Sequence, residues 1–287
     1  MIYRLPDIQS NHAGFNALAG LATATGELAY DRLELSFTGV SWFDANMAAP
    51  LGGVLARILD RYNTVSIVDL AWGQRSILER NGFLGDFGYP TPAAWAGTVL
   101  PFTRFKQTDA NRFYDYLDEH LPGKGMPNMT SGFSLRFQQS LGEIFINAQT
   151  HSDSTLGVFV CGQFYPTKRR LDISIADAGL TIPGRVNRRF GLRVSPLKAL
   201  RWALVEGHTT KENEPGGVGL KLLHQFVDQN GGCMQIASGG AFWQFCRGQE
   251  EFHTIEQVFP GTVVNLEINT GDNQLYGTGE TWKELQS

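Results

Sequence analysis

Apolar positions along this chain recur at two spacings, every second residue and every third to fourth, and the alternation of the two marks out strands and helices. The first thirty or so residues are rich in Ala and Gly and weakly patterned, so no element is assigned there. Alternation at Leu33, Leu35 and Phe37 predicts a strand over 33–37. Asp44 is placed to cap a helix running to about Tyr62, with Leu51, Leu55, Ile58 and Leu59 on one stripe. A second strand over 64–68 precedes a short helix over 75–81 that Gly82 ends. Residues 85–97 combine Gly, Pro and aromatics and read as an ordered loop. The strand expected over 98–102 carries Pro101, which favours a sheet edge. Asp109 then opens a helix to Leu121. Neither helix nor strand runs easily through Pro122-Gly123-Lys124-Gly125-Met126-Pro127, so the boundary between two domains, 1–121 and 131–269, is expected there.

The second unit begins with a helix near Ser131 whose buried stripe is Phe137, Leu141, Ile144, Phe145 and Ala148. Strands over 157–161 and 171–175 flank a turn at 165–169, as an antiparallel pair would. A long segment, 180–215, contains one good helix at about 196–207. A glycine loop leads into another at about 218–229, which Gly231-Gly232 stop. Strands over 234–236, 242–245 and 262–268 complete the unit, and the tail 270–287 is polar and expected to fray. The fold class is α+β: an N-terminal α/β domain followed by a two-layer α/β sandwich.

Composition narrows the classes. The 287 residues suffice for two domains with cores of their own, and 42% hydrophobic with 18% charged residues suits a folded, water-soluble chain. A formal charge of −4 argues against a general nucleic-acid or anionic-membrane surface. No apolar run is long enough to span a bilayer and the start lacks a secretory pattern, so the cytoplasm is expected. Cys161, Cys233 and Cys246 are odd in number and far apart, which suggests buried inert thiols rather than disulfides or zinc ligands.

Three short segments carry chemistry. Glu143, Asn147 and His151 stand four residues apart, so they share one helix face. Asn147 offers an oxygen suited to Mg²⁺, Glu143 can orient or deprotonate an attacking hydroxyl, and His151 can neutralise phosphate. Asp177-Ala178-Gly179 ends a strand; its carboxylate can accept from an exocyclic amine while the glycine admits close approach. Gly216-Gly217-Val218-Gly219-Leu220 opens a helix, where amides and dipole favour a phosphate. Thr262 starts the last strand, from which its hydroxyl can reach Asp177. Arg185, Arg188, Arg189 and Arg193 lie between the acidic turn and the glycine loop, as a basic cover over phosphates would. Taken singly, each segment also fits an ordinary surface helix, turn or loop.

In that order and at those intervals, residues 131–269 resemble the GHKL (Bergerat-fold, histidine kinase-like) ATP-binding domain found in gyrase, sensor histidine kinases and anti-sigma-factor kinases. Glu143 and Asn147 match its N box, Asp177 and Gly179 its adenine box, and Gly217 and Gly219 its second glycine box. The resemblance implies ATP and Mg²⁺ as ligands, Asn147 as the metal contact, Asp177 as the adenine reader, and 180–215 as a lid. Residues 1–121 look, more loosely, like a STAS-like partner-binding domain; the phosphorylatable serine of that family is not evident after Asp69, where Leu70-Ala71-Trp72-Gly73 follow. The expected function is a Mg-ATP-dependent regulatory protein that hydrolyses ATP or phosphorylates a protein Ser or Thr, with Glu143 as base. The alternative is a non-catalytic, nucleotide-gated interaction module. A protein partner through the STAS-like half is expected, a homodimer is left open, and neither nucleic acid nor membrane is expected as a partner.

Overall fold

In the computed structural model, residues 1–93, 97–205, 207–208 and 218–277 are described, with the side chains of His151 and Val218 excepted. In chain order the elements are β1 (Ile2–Arg4), α1 (His12–Ala24), β2 (Arg32–Ser36), α2 (Ala48–Leu59), β3 (Thr64–Val68), α3 (Trp72–Arg80), β4 (Val99–Phe105), α4 (Ala110–His120) and β5 (Asn128–Met129). There follow α5 (Ser131–His151), β6 (Val158–Tyr165), β7 (Arg170–Asp177), α6 (Ile182–Phe190), α7 (Pro196–Ala203), α8 (Val218–Asn230), β8 (Cys233–Cys246), β9 (Gln249–Asn269) and β10 (Leu275–Tyr276). Mixed helix and a mostly antiparallel main sheet bear out the α+β class. No helix among the described residues is long and apolar enough to cross a membrane.

Strands β1, β2 and β3 form a small parallel sheet in that order, with Ile2 opposite Glu34 and Leu33 opposite Val65. Parallel neighbours need a crossover, and α1 and α2 supply the two. The weakly patterned start therefore contains a strand and a helix. Asn11 caps α1 by accepting from the Gly14 amide, and Phe15, Leu18 and Leu21 are wholly buried. The expected 44–62 helix begins instead as a 3₁₀ turn over Ala45–Met47. Asp44 does not cap it, because its carboxylate accepts from the Ser10 amide and the Trp42 indole. Helix α2 is buried almost all round, as befits a helix between two sheets. Gly52 and Gly53 permit this: a Cβ on Gly52 would lie 2.6 Å from the Phe102 ring.

The main sheet runs β4-β6-β7-β9-β8, antiparallel throughout. Strand β7 explains its layering. Leu171, Ile173 and Ile175 face Phe137, Leu141, Ile144 and Phe145 of α5, each side chain contributing about 1.5–3 kcal/mol on burial. Asp172, Ser174 and Ala176 alternate onto the opposite face, toward α2. Several buried polar groups are paired there: Asn46 donates to Ser174 at 2.9 Å, Ser174 donates to Asn265 at 2.5 Å, and Gln235 donates to the Ser10 carbonyl at 2.8 Å.

Two expectations fail here. The boundary at 122–127 does not separate two packing units, because β4 pairs with β6 and Phe113 of α4 stacks on Phe145 of α5 at 4.2 Å. The Pro- and Gly-rich stretch breaks secondary structure without breaking the core. Its Gly125, at φ +69°, has space for a Cβ only 2.9 Å from the Phe164 ring. Nor is the start of the tail frayed: β10 pairs with β5, and Tyr276 is buried against Phe133 and Phe226. Residues 278–287 lie outside the described residues.

Long strands β8 and β9 contain the separately expected 234–236, 242–245 and 262–268. At Gly239-Gly240 β8 doubles back, so that Gln235 meets Gln244 at 3.3 Å and the Arg247 amide donates to the Gly232 carbonyl. Cys233 and Cys246 thereby come together as a disulfide, contrary to the reading of both as free thiols; Cys161 is free and buried as expected. The first half of β9 forms the outer rim, and α1 covers it: His12 donates to the Thr254 carbonyl and Asn16 accepts from the Glu256 amide. The polar sheet face and β4 make a firm test. A fragment beginning at residue 128 lacks β4, α4 and α2, so it should aggregate or melt without a cooperative transition. A monomeric fragment with a sharp melt on size exclusion and calorimetry would refute the shared core.

Candidate functional site

Helix α5 organises the candidate residues. Its N-cap Thr130 accepts from the Phe133 amide, and its apolar stripe lies on the sheet. The stripe's burial turns Glu143 toward the N-terminus of α8, and Glu143 and Asn147 are both half-buried. The Gly219 amide, in the first turn of α8, donates to Glu143 Oε2 at 2.7 Å. Amides in a helix's first turn have no partner within the helix, and a carboxylate there also opposes the dipole favourably. Gly219 is needed for this approach, since a Cβ would lie 2.5 Å from that same oxygen.

At the other end of α5 the acidic turn closes on the chain. The Leu180 amide donates to the Ser152 carbonyl at 2.6 Å, and a Cβ on Gly179 would sit 2.0 Å from that carbonyl oxygen. Gly179 therefore has a packing requirement of its own. From Glu143 to Ser152 the helix advances about 14 Å. The acidic turn and the start of α8 are thus both brought to the helix that carries Glu143 and Asn147, with Asn147 between the two contacts. His151 is the last residue of α5, and its side chain lies outside the described residues.

Asp177 ends β7, on the same sheet face as Ile173 and Ile175, and is only 4% exposed. Its Oδ1 accepts from the Gly179 amide at 2.9 Å. Desolvation dominates its ionisation and pushes the carboxyl up to about 7, against the lowering effects of the Gly179 and Thr262 amides and the Arg57 charge. Gly261, at φ +87°, lets the next strand pass close: a Cβ there would be 2.2 Å from the Asp177 carbonyl oxygen. The expectation for Thr262 is corrected in detail. Its main chain serves Asp177, whereas its hydroxyl lies 2.9 Å from Ser238 Oγ, because the side chain points across to β8.

Ser238 was not singled out in the sequence, yet it ties three segments together. It donates to the Gly261 carbonyl and accepts from the Ile182 amide at the head of α6. The Ser-Gly-Gly sequence at the bend of β8 was its only trace. Leu220 packs its side chain against the α5–sheet core, so only its main chain is placed to serve a ligand. Gly216 and Gly217 lie outside the described residues, and Val218 opens α8.

The segment expected as a mobile lid is partly built structure. Residues 182–190 and 196–203 form α6 and α7, packed against β8. Arg185 and Arg188 pair with Asp153 at 3.3 and 2.8 Å, and Arg185 also donates to the Thr150 carbonyl. These arginines fasten α6 to the end of α5; residues 209–215 lie outside the described residues. Among the described residues no three His, Cys, Asp or Glu side chains converge as a metal site. Mg²⁺ needs few protein ligands, and Asn147, half-buried beside Glu143, fits that sparse role. Compared with protein-family models and with curated proteins, the chain matches none.

The raised carboxyl of Asp177 makes a pH prediction. An acid whose folded value lies above its unfolded one of about 4 stabilises the fold fully below that value, and the contribution is lost as pH rises through about 7. Asp177→Asn removes the ionisation, so its melting temperature should exceed the wild-type value by several degrees at pH ~8 and match it near pH ~4. The same offset at both ends of the titration, by scanning calorimetry, would contradict this.

Proposed function

We propose that residues 131–269 form a Mg-ATP site of the GHKL kind, and that the chain is an ATP-dependent regulatory protein. One observation carries the reading: two segments separated widely in sequence meet a single helix, the start of α8 through the Gly219 amide at Glu143 and the Asp177–Gly179 turn at Ser152. Adenine would be read at Asp177, whose buried carboxylate accepts from its amine. The triphosphate would extend along α5 toward the α8 amides, with Asn147 beside it. When bound, Mg²⁺ supplies charge neutralisation and in-line geometry at the terminal phosphates. Glu143 then orients or deprotonates the attacking group, either water or a Ser or Thr hydroxyl of a protein partner.

The non-catalytic reading draws on a specific contact. Glu143 already accepts from the Gly219 amide, so one of its two carboxylate oxygens is engaged by the chain itself rather than turned to an attacking group. In that reading the site gates a protein partner by binding nucleotide alone. The N-terminal layer, with its STAS-like order of β2, α2, β3 and α3, is the part we assign to the partner; Trp72 at the head of α3 is 84% exposed.

Calorimetric titration with Mg-ATP and a phosphate-release assay separate these readings. Glu143→Gln keeps an acceptor for the Gly219 amide, so it should bind ATP within about threefold of wild type while turnover falls about 10²-fold or more. Equal turnover in the two proteins would leave the gating reading. Asp177→Asn puts a donor against the adenine amine and should weaken ATP about 10–100-fold. No heat of binding with wild type would remove the nucleotide site altogether.

A further inference from the structure

We propose that Arg57 is a positioning residue for the Asp177–Gly179 turn, through which the N-terminal layer controls how firmly that turn holds its ligand. The inference rests on reading Asp177 as the base-recognising carboxylate. Helix α2 runs beneath the turn from the far side of the sheet. At Gly53 the two nearly touch, since a Cβ there would meet Ala178 Cβ at 3.5 Å and the Asp177 carbonyl oxygen at 3.7 Å. One helical turn on, the half-buried Arg57 donates through Nη1 to the Ala178 carbonyl at 2.8 Å.

Ala178 is itself 1% exposed, so the guanidinium is a built-in partner for a carbonyl inside the turn. Its charge also acts on Asp177. The groups bearing on that carboxylate are Arg57 from α2, the Gly179 amide from the turn and the Thr262 amide from β9. Asp60 and Arg61, just beyond α2, act in turn on Arg57 with opposite signs. A partner that shifts α2 by a fraction of an ångström would lengthen the Arg57–Ala178 bond and weaken the ionised form of Asp177. The N-terminal layer then reaches the site without touching a ligand, by a coupling that is reciprocal.

The test uses the full chain in three variants, Arg57→Met, Arg57→Gln and Arg57→Lys. The Asp177 carboxyl resonance, identified by its loss in Asp177→Asn, is followed through a pH titration without nucleotide. Removing the charge should raise the proton affinity of Asp177 about tenfold, and Arg57→Lys should restore it. Calorimetric titration with Mg-ATP near neutral pH should show Arg57→Met about tenfold weaker, with a smaller loss at higher pH where Asp177 ionises fully. Should Arg57→Met unfold, Arg57→Gln gives the same comparison. An unchanged Asp177 midpoint in a folded neutral variant overturns the proposal. A shifted midpoint in a chain that binds no ATP leaves the coupling standing and refutes the nucleotide reading instead.

Discussion

The burial of one face of α5 against the main sheet is the constraint on which the rest of the molecule depends. Phe137, Leu141, Ile144 and Phe145 can face only the sheet, and that fixes the rotation of the helix about its own axis. With rotation fixed, Glu143 must look toward α8 and Ser152 must lie under the turn after β7. The close contacts at Gly219 and Gly179 then admit no side chain. A site of this kind is positioned by packing, and its polar groups inherit their geometry from apolar neighbours.

The same sheet is used on both faces, which changes the meaning of its two halves. Alternation along β7 gives α5 an apolar surface and gives the N-terminal layer a mixed one, with Asp172 and Ser174 among the alanines. Asp172 is held beside Arg170 at 2.9 Å, with burial keeping its carboxyl well above the usual range. Matched buried polar groups specify register more than they add stability, since a slip leaves each without its partner. The N-terminal layer is therefore keyed to the sheet, and its Arg57 stands where the keyed face ends and the candidate site begins.

Much of this was legible from residue spacing. The α5 stripe, the β6–β7 hairpin, α8 and the order of the three motifs follow from local periodicity and turn chemistry. What was missed depends on distant parts of the chain. Pro101 announced an edge strand, but nothing local to 98–102 says which sheet owns that edge. Helix α1 escaped notice because its Ala- and Gly-rich face leaves little contrast between sides. A helix such as α2, buried all round, looks like a one-sided stripe until the second sheet is known. Cys233 and Cys246 are strangers in sequence and neighbours only because β8 folds back at two glycines. Thr262 was placed on the correct strand, and its hydroxyl went to Ser238 because the adjacent strand offered the nearer partner.

The cover that α1 lays along β9 has a consequence for the life of the protein in a crowded solution. An open strand edge is a template on which another chain can add itself, and polymerisation of that sort needs only free main-chain groups. Here two side chains, His12 and Asn16, occupy the amide and carbonyl positions that an incoming strand would need at Glu256 and Thr254. Residues of α1 thus close a rim built from residues about 240 positions further along the chain, and until synthesis reaches β9 that guard has nothing to protect.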